Sequence, residues 1–462
     1  MTGMGGASGP IRSCRVGRRR RRKPEKTDKY QRVSADCGKV CSWRAGVNRS
    51  EPIVVIGAGL AGLSCAKELV RRQVPVVLLE AGDAVGGRVR TREIDGFRID
   101  AGFQVLQTAY PEAQRQLDYA RLNLRPFQPG ALIRTQQRFV EMADPWRRPQ
   151  ALFSTLFNGV GTFADRLRLG RLRAATLRAT DAGSATETDL PLHEFLRQDY
   201  GFSADFIDRF LRPWFSGVFL EPNLETSSQF FRFLFRMFAA GDVAVPVGGM
   251  QEIPKQLAES IPDEQIRLNS RVLSASANSV ELDSGERLTA RNVVLAVDGP
   301  NAVRLSGEPV CRETGYGTMC LQFAAPQAPV DRPILLLNGE GRQAGPVNNM
   351  CVISNVAPEY APVGQSLISV STCGLPSAEV AAVEVAARKQ LGDWFGASVN
   401  QWSLVAADTI PFALPIQSPG DSSGREGFRK TTAGVYCCGD SFSSGSIHGA
   451  MLSGRLVAEH LS

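Results

Sequence analysis

Ile53-Val54-Val55-Ile56 is an unbroken apolar run, the pattern of a parallel strand buried on both faces. The period then becomes helical, with apolar residues recurring so as to predict a helix from Leu60 to about residue 72. A second continuous run over 76–79 predicts another buried strand and ends on an acid, Glu80. Further on, 110–240 reads as mostly helix-like segments interrupted by proline. A turn at Val247-Gly248-Gly249-Met250 precedes a helix over 251–260, then short strands over 266–272, 279–282 and 293–297, with a turn at Asp283-Ser284-Gly285. A mixed region fills 303–427. The chain closes with a strand over 434–438, the turn Gly439-Asp440, a Gly/Ser loop over 441–445, and a helix starting near Ile447. That helix carries Gly449-Ala450 and Ser453-Gly454 on closely packing faces. There is no internal repeat.

Between the first strand and its helix lies Gly57-Ala58-Gly59-Leu60-Ala61-Gly62. Gly57 permits a tight turn, Gly59 leaves backbone open to a pyrophosphate, and Gly62 lets the helix lie close on the sheet. The helix aims unpaired N–H groups and its positive dipole end at the phosphates. Glu80, roughly 20 residues on, is where a carboxylate accepts hydrogen bonds from an adenosine ribose, and it repels a 2′-phosphate, which disfavours NADP. A glycine-rich turn alone also occurs in unrelated α/β proteins; strand, helix, second strand and terminal acid together point to dinucleotide binding. A second glycine signal, Gly86-Gly87-Arg88, adds close backbone approach and a planar fork of donors for phosphate.

Composition changes the picture in two ways. At 462 residues the chain can bury a large core and should form two domains, or one discontinuous pair. The net charge of +7 is concentrated at the start: residues 1–50 hold 14 Lys/Arg against 3 Asp/Glu, leaving 39 against 43 for the rest. The body is therefore mildly acidic, and no nucleic-acid partner is expected for it. The cationic run Arg18 to Lys23 reads as part of a disordered extension; a tether to nucleic acid or an anionic membrane, or part of an organelle presequence, are the functional alternatives. No signal-peptide core and no 18-residue apolar stretch is present, so neither secretion nor a membrane span is expected. The ten cysteines form no C-x-x-C pair and only His193, His448 and His460 accompany them, so no metal site is expected. Several cysteines lie in apolar strands and read as small core residues in a reducing compartment, cytoplasmic or plastid-type. Thirteen aromatics crowd the stretch from Phe195 to Phe238, among them Trp214, Phe215, Phe219, Phe230, Phe231, Phe233 and Phe235. They read as helical core, or in part as the lining of an apolar pocket.

These pieces in this order resemble the flavin-containing amine oxidase superfamily, which includes protoporphyrinogen oxidases and phytoene or carotene desaturases. Four patches carry the resemblance: Val55 to Arg90, Pro213-Trp214-Phe215-Ser216-Gly217-Val218-Phe219 followed by Pro222, Gly248 to Pro254 with the strands after it, and Val435 to Gly454. The middle two lean toward the protoporphyrinogen oxidase and desaturase branch. The resemblance implies an α/β fold: a discontinuous Rossmann-like FAD-binding domain (51–110, 245–302, 428–462) with a mixed α+β substrate domain (111–244, 303–427). Its implied cofactor is FAD. Gly57, Ala58, Gly59, Leu60, Ala61 and Gly62 would surround the pyrophosphate, with Glu80 and Ala81 at the ribose. Gly86, Gly87 and Arg88 would meet phosphate or ribityl oxygens, while Gly102, Phe103, Gln104 and Val105 pass the isoalloxazine. Val272 would contact adenine through its backbone. Gly439 and Asp440 would meet the ribityl or pyrophosphate end, and Ser446, Ile447, Gly449 and Ala450 would flank the ring.

The chain also departs from that pattern. Amine oxidases proper usually place a lysine under the flavin, and the corresponding stretch Thr318-Met319-Cys320-Leu321-Gln322-Phe323 has none. No cysteine has the context of a covalent flavin link. His448 stands where relatives often have an acid or amide; it reads either as a hydrogen-bonded structural residue or as a proton carrier, the one catalytic candidate named here. The implied activity is dehydrogenation of a small apolar, cyclic or conjugated substrate, and such a substrate suggests peripheral membrane contact. Alternatives are an amine oxidase, a flavin-dependent isomerase without net redox turnover, and a non-enzymatic flavoprotein scaffold.

Overall fold

The unbroken apolar run at 53–56 becomes a central strand because neighbours cover both its faces. The structure, a computed structural model, describes residues 51–151, 155, 158–178, 188–421 and 427–462; the extension 1–50 with its cationic run lies outside them. Strand β1 (Ile53–Ile56) is buried throughout. It runs parallel to β2 (Val76–Leu79) on one side and to Asn292–Leu295 on the other, with Ile53 opposite both Val76 and Asn292. The six-stranded sheet is ordered Ile266–Arg267, β2, β1, Asn292–Leu295, Tyr436–Cys438, Phe428–Lys430. Only its last pair is antiparallel. Helix α1 (Leu60–Arg71) crosses from β1 to β2, giving the parallel strand–helix–strand unit the sequence predicts.

Close packing explains several glycines. A Cβ on Gly62 would fall 1.8 Å from the Gly57 carbonyl oxygen, and one on Gly454 would fall 1.9 Å from that of Ala61. The second contact joins α1 to the C-terminal helix (Ile447–Leu461), so the last residues of the chain lie against the first helix. The hairpin of β3 (Thr91–Ile94) and β4 (Phe97–Asp100) follows β2. Its Asp100 accepts from Thr91 Oγ1 (2.5 Å), Met250 N (3.0 Å) and the Tyr360 hydroxyl (3.0 Å), tying three distant segments together.

The strand expected over 266–272 is two pieces, Ile266–Arg267 and Val272–Ala275. Between them Asn269 takes φ +51°, and the Asn269 and Ser270 amides donate to the Gly82 and Glu80 carbonyls, so the chain turns toward β2 rather than extending. The stretch read as mostly helical, 110–240, also supplies a hairpin, Gly130–Thr135 with Arg138–Ala143. That hairpin completes a seven-stranded sheet ordered Ser403–Pro415, Gly315–Ala325, Ser366–Thr372, Val347–Val352, Leu335–Asn338, Gly130–Thr135, Arg138–Ala143. Its turn is Gln136-Gln137 at φ +50° and +60°, positions that normally announce themselves as Asn-Gly. Three helices cover this side: α2 (Phe163–Arg178), α3 (Arg212–Phe219) and α4 (Ser228–Ala240). The C-terminal helix is α5.

Candidate active site

One cavity of about 750 Å³ runs from the carboxyl ends of β1 and β2 to the inner faces of α3 and α4. Gly57 and Asp440 both line it, so the two ends of the sequence pattern meet at one site. Every cofactor residue named from the sequence lines this cavity except Ala58, Gly62 and Gly449. Those three act from behind the wall. Ala58 N donates to Glu80 Oε2 at 2.7 Å. Gly62 provides the helix–turn approach already described, and a Cβ on Gly449 would lie 2.1 Å from the Ser444 carbonyl oxygen.

The end of the cavity beside β1 and β2 is built largely from backbone. Gly57 takes φ +100°, and a Cβ there would meet the Ala296 carbonyl oxygen at 2.7 Å. A Cβ on Gly59 would meet no atom within 4 Å, so its bareness leaves room for a ligand rather than for the protein. Gly86 N donates to the Ala58 carbonyl at 2.8 Å, laying the second glycine pair over the first. Glu80 holds Ala58 N and Gly82 N at 2.7 and 2.8 Å; a carboxylate has about four lone-pair sites, which leaves acceptor capacity facing the cavity. Ser270 to Val272 line the far end beside β2. Arg88 lines the cavity but spends its terminal nitrogens on protein: Nη1 on the Ala413 carbonyl (2.7 Å) and Nη2 on Asp440 Oδ1 (2.8 Å). It acts as a clamp between segments as well as a wall. Gln104 Nε2 donates to the Arg88 and Ala101 carbonyls, fixing the loop that carries Gly102, Phe103 and Val105 past the middle of the cavity. Ser446 caps α5 by accepting from Gly449 N at 3.0 Å, which directs the helix start at the same region.

His448 is not at the cavity wall. Its Nδ1 accepts from Glu112 N at 3.3 Å, and its ring packs between Tyr110 and Phe233 at centroid distances of 5.7 and 5.1 Å. An Nδ1 that accepts a backbone hydrogen bond is unprotonated, and the ring is held as a packing element away from the reacting space.

The other half of the cavity is a chamber the sequence located only loosely. Trp214, Phe210, Phe235 and Phe238 line it, whereas Phe215, Phe219 and Phe231 are buried core and Phe230 and Phe233 pack against that core. Its polar points include Gln107, Gln128, Thr318, Asn349 and Ser371. No lysine lines the cavity among the described residues, and Thr318 lies on the wall in the strand Gly315–Ala325. Gln107 is 4% exposed and its Oε1 has no hydrogen-bond partner among the described residues. A buried unsatisfied acceptor costs free energy unless a ligand completes it. Burial pushes the thiols of Cys65, Cys351 and Cys438 well up and that of Cys320 to about 11, so these are inert core groups.

The donor set, the open space at Gly59 and the length of the cavity fit an extended dinucleotide with a planar ring at its inner end. Comparison with known proteins agrees. The family model for flavin-containing amine oxidoreductases matches residues 60–462. Protoporphyrinogen oxidase 2, chloroplastic/mitochondrial, of Arabidopsis thaliana is 25% identical over 265 residues, covering 49% of this chain and 51% of that protein. Polyamine oxidase 3 of Oryza sativa subsp. japonica is 27% identical over 261 residues, covering 53% of this chain and 51% of that protein. The chain thus spans about half the length of these curated relatives. The crystal structure of an oxidoreductase from Methanosarcina mazei shares the fold with a TM-score of 0.68 at 18% identity, over 88% of this chain and 100% of that one. The chain belongs to the flavin-containing amine oxidoreductase family, an oxidoreductase family, and its cofactor is FAD.

Proposed function

We propose that the protein dehydrogenates an apolar, cyclic or conjugated organic substrate. The observation that carries this reading is the chamber continuous with the cofactor half of the cavity: Trp214, Phe235, Phe238 and Val218 line it, and among the described residues no lysine does. Aromatic walls of this kind hold a planar or lipid-like molecule by area and shape. Bound FAD supplies the two-electron acceptor for hydride. The chain's own residues do the rest. With the cofactor bound, the glycine turns and Glu80 would hold the adenosine half, Arg88 and Asp440 the middle, and the loop 102–105 the ring end. The aromatic walls exclude water, and Gln107 offers one buried acceptor that orients a donor on the ligand. The wall, which holds no lysine among the described residues, favours this reading over oxidation of a soluble amine.

The test is anaerobic bleaching of the protein-bound flavin by porphyrinogens, carotenes, polyamines and NAD(P)H in parallel. Reduction by a porphyrinogen or carotene and by no amine is the expected result. Bleaching by polyamines alone, or by NAD(P)H alone, would replace the proposal with an amine oxidase or a reductase.

A further inference from the structure

Helix α2 turns its solvent face inside out. Leu172, Asp165 and Thr176 occupy its buried side, while Phe163, Leu167 and Leu177 are 62%, 62% and 42% exposed. At 100° per residue, Phe163, Leu167, Leu177, Arg171 and Arg178 fall within one face about 120° wide. Two arginines therefore border three outward apolar side chains along one edge of that face, and all five are exposed. The helix carries five arginines against one aspartate, although residues 51–462 as a whole hold 39 basic against 43 acidic side chains. Trp146 packs on the same helix, with Arg173 stacked over its ring at 4.8 Å, and is itself 52% exposed. Trp146, Leu169 and Arg173 all line the cavity, so the cavity opens beside this face.

We infer that the α2 face docks on an anionic lipid surface, with Phe163, Leu167 and Leu177 entering the headgroup–acyl boundary and Arg171 and Arg178 meeting lipid phosphates. Exposed large apolar side chains gain by entering a lipid interface, and anionic headgroups supply the charge complementary to the neighbouring arginines. The arrangement deepens the reading of an apolar substrate, since a chamber opening beside the docked face takes such a molecule from lipid without passage through water. The lipid contact is nevertheless measurable without any substrate.

The experiment is sedimentation of the full-length flavin-loaded protein with vesicles of phosphatidylcholine alone or with a third phosphatidylglycerol. The wild type is compared with Phe163→Ser/Leu167→Ser, with Arg171→Gln/Arg178→Gln, and with a variant in which residues 18–23 are all Gln. Circular dichroism confirms folding, and flavin absorbance reports the cofactor site separately. The expected result is salt-sensitive binding to the anionic vesicles only, weakened about tenfold or more by either α2 pair. Three results would overturn the inference: no binding to anionic vesicles, binding lost only in the 18–23 variant, or a dimer in ultracentrifugation that the Phe163/Leu167 pair dissolves. Intact vesicle binding by a protein that never acquires flavin would instead count against the oxidoreductase reading alone.

Discussion

Arg88 Nη2 lies 2.8 Å from Asp440 Oδ1, a pair between residues 352 apart in sequence. The same guanidinium donates to the Ala413 carbonyl, so the second glycine turn, the long strand Ser403–Pro415 and the loop before α5 meet at one side chain. Asp440 is buried while the Arg88 side chain is 37% exposed, facing the cavity. The pair thus closes the site from its protein side and presents polar edges to whatever fills it.

Replacing Asp440 with Asn preserves shape and removes the charge that orients Arg88. A charge-assisted hydrogen bond contributes ~2 kcal/mol, so flavin affinity falls roughly thirtyfold with little change in fold. Titration of the apoprotein with FAD, followed by flavin fluorescence, measures it; unchanged affinity in the Asn variant would remove Arg88–Asp440 from the cofactor site.

Two glycines separate ligand space from packing space. Gly59→Ala puts a methyl where no protein atom lies within 4 Å, at a φ of −73° that alanine accepts. Apoprotein stability should move by no more than about 0.5 kcal/mol, while FAD binding weakens at least tenfold. Gly454→Ala drives a methyl to 1.9 Å from the Ala61 carbonyl oxygen and should cost about 1–3 kcal/mol of stability. Thermal melts of both apoproteins, paired with FAD titrations, check the contrast.

Gln107→Leu tests the unsatisfied acceptor. Removing a buried polar atom that lacks a partner is neutral to stabilising in the empty protein, so the melting temperature should hold or rise. If a ligand hydrogen-bonds that oxygen, kcat/KM for the true substrate drops by about tenfold or more. A variant with wild-type kcat/KM would mean that the ligand leaves Gln107 untouched.

The cofactor half of the site could be read from residue order because its chemistry is backbone chemistry. Gly57, Gly59, Gly62 and Glu80 lie within one local strand–helix–strand unit, where spacing alone fixes geometry. The substrate half could not be. Its walls bring together Trp214, Phe238, Thr318 and Asn349 from separate elements, and which aromatic faces inward depends on helix packing that no local pattern encodes. His448 shows the same dependence: it is adjacent in sequence to Ile447, which lines the cavity, yet the helical turn points its ring at Tyr110, the packed arrangement that is one of its two sequence readings. The hairpin at 130–143 was hidden because two glutamines take its left-handed turn positions.

Two buried carboxylates give acid stability opposing signs. Burial raises the pKa of Asp165, but hydrogen bonds from the amides and hydroxyls of Ser203 and Thr162 outweigh it and hold the group at about 2. A folded pKa below the unfolded ~3.9 stabilises fully above that value, and the contribution is lost as pH falls toward 2. Its size is ~2–3 kcal/mol. For Asp100, burial dominates over its bonds from Thr91, Met250 and Tyr360 and pushes it up to about 6. Its contribution is therefore full below ~4 and lost as pH rises through 6. Asp165→Asn should flatten the fall in melting temperature below pH 4, and Asp100→Asn should remove a segment between pH 4 and 6 in which stability declines with rising pH. Melting curves at half-unit steps from pH 2.5 to 7.5 decide between them. A wild-type acid limb retained in Asp165→Asn would show that the Thr162–Ser203 cradle does not hold a carboxylate anion, and the attachment of α2 to the Ser203 turn would need another explanation.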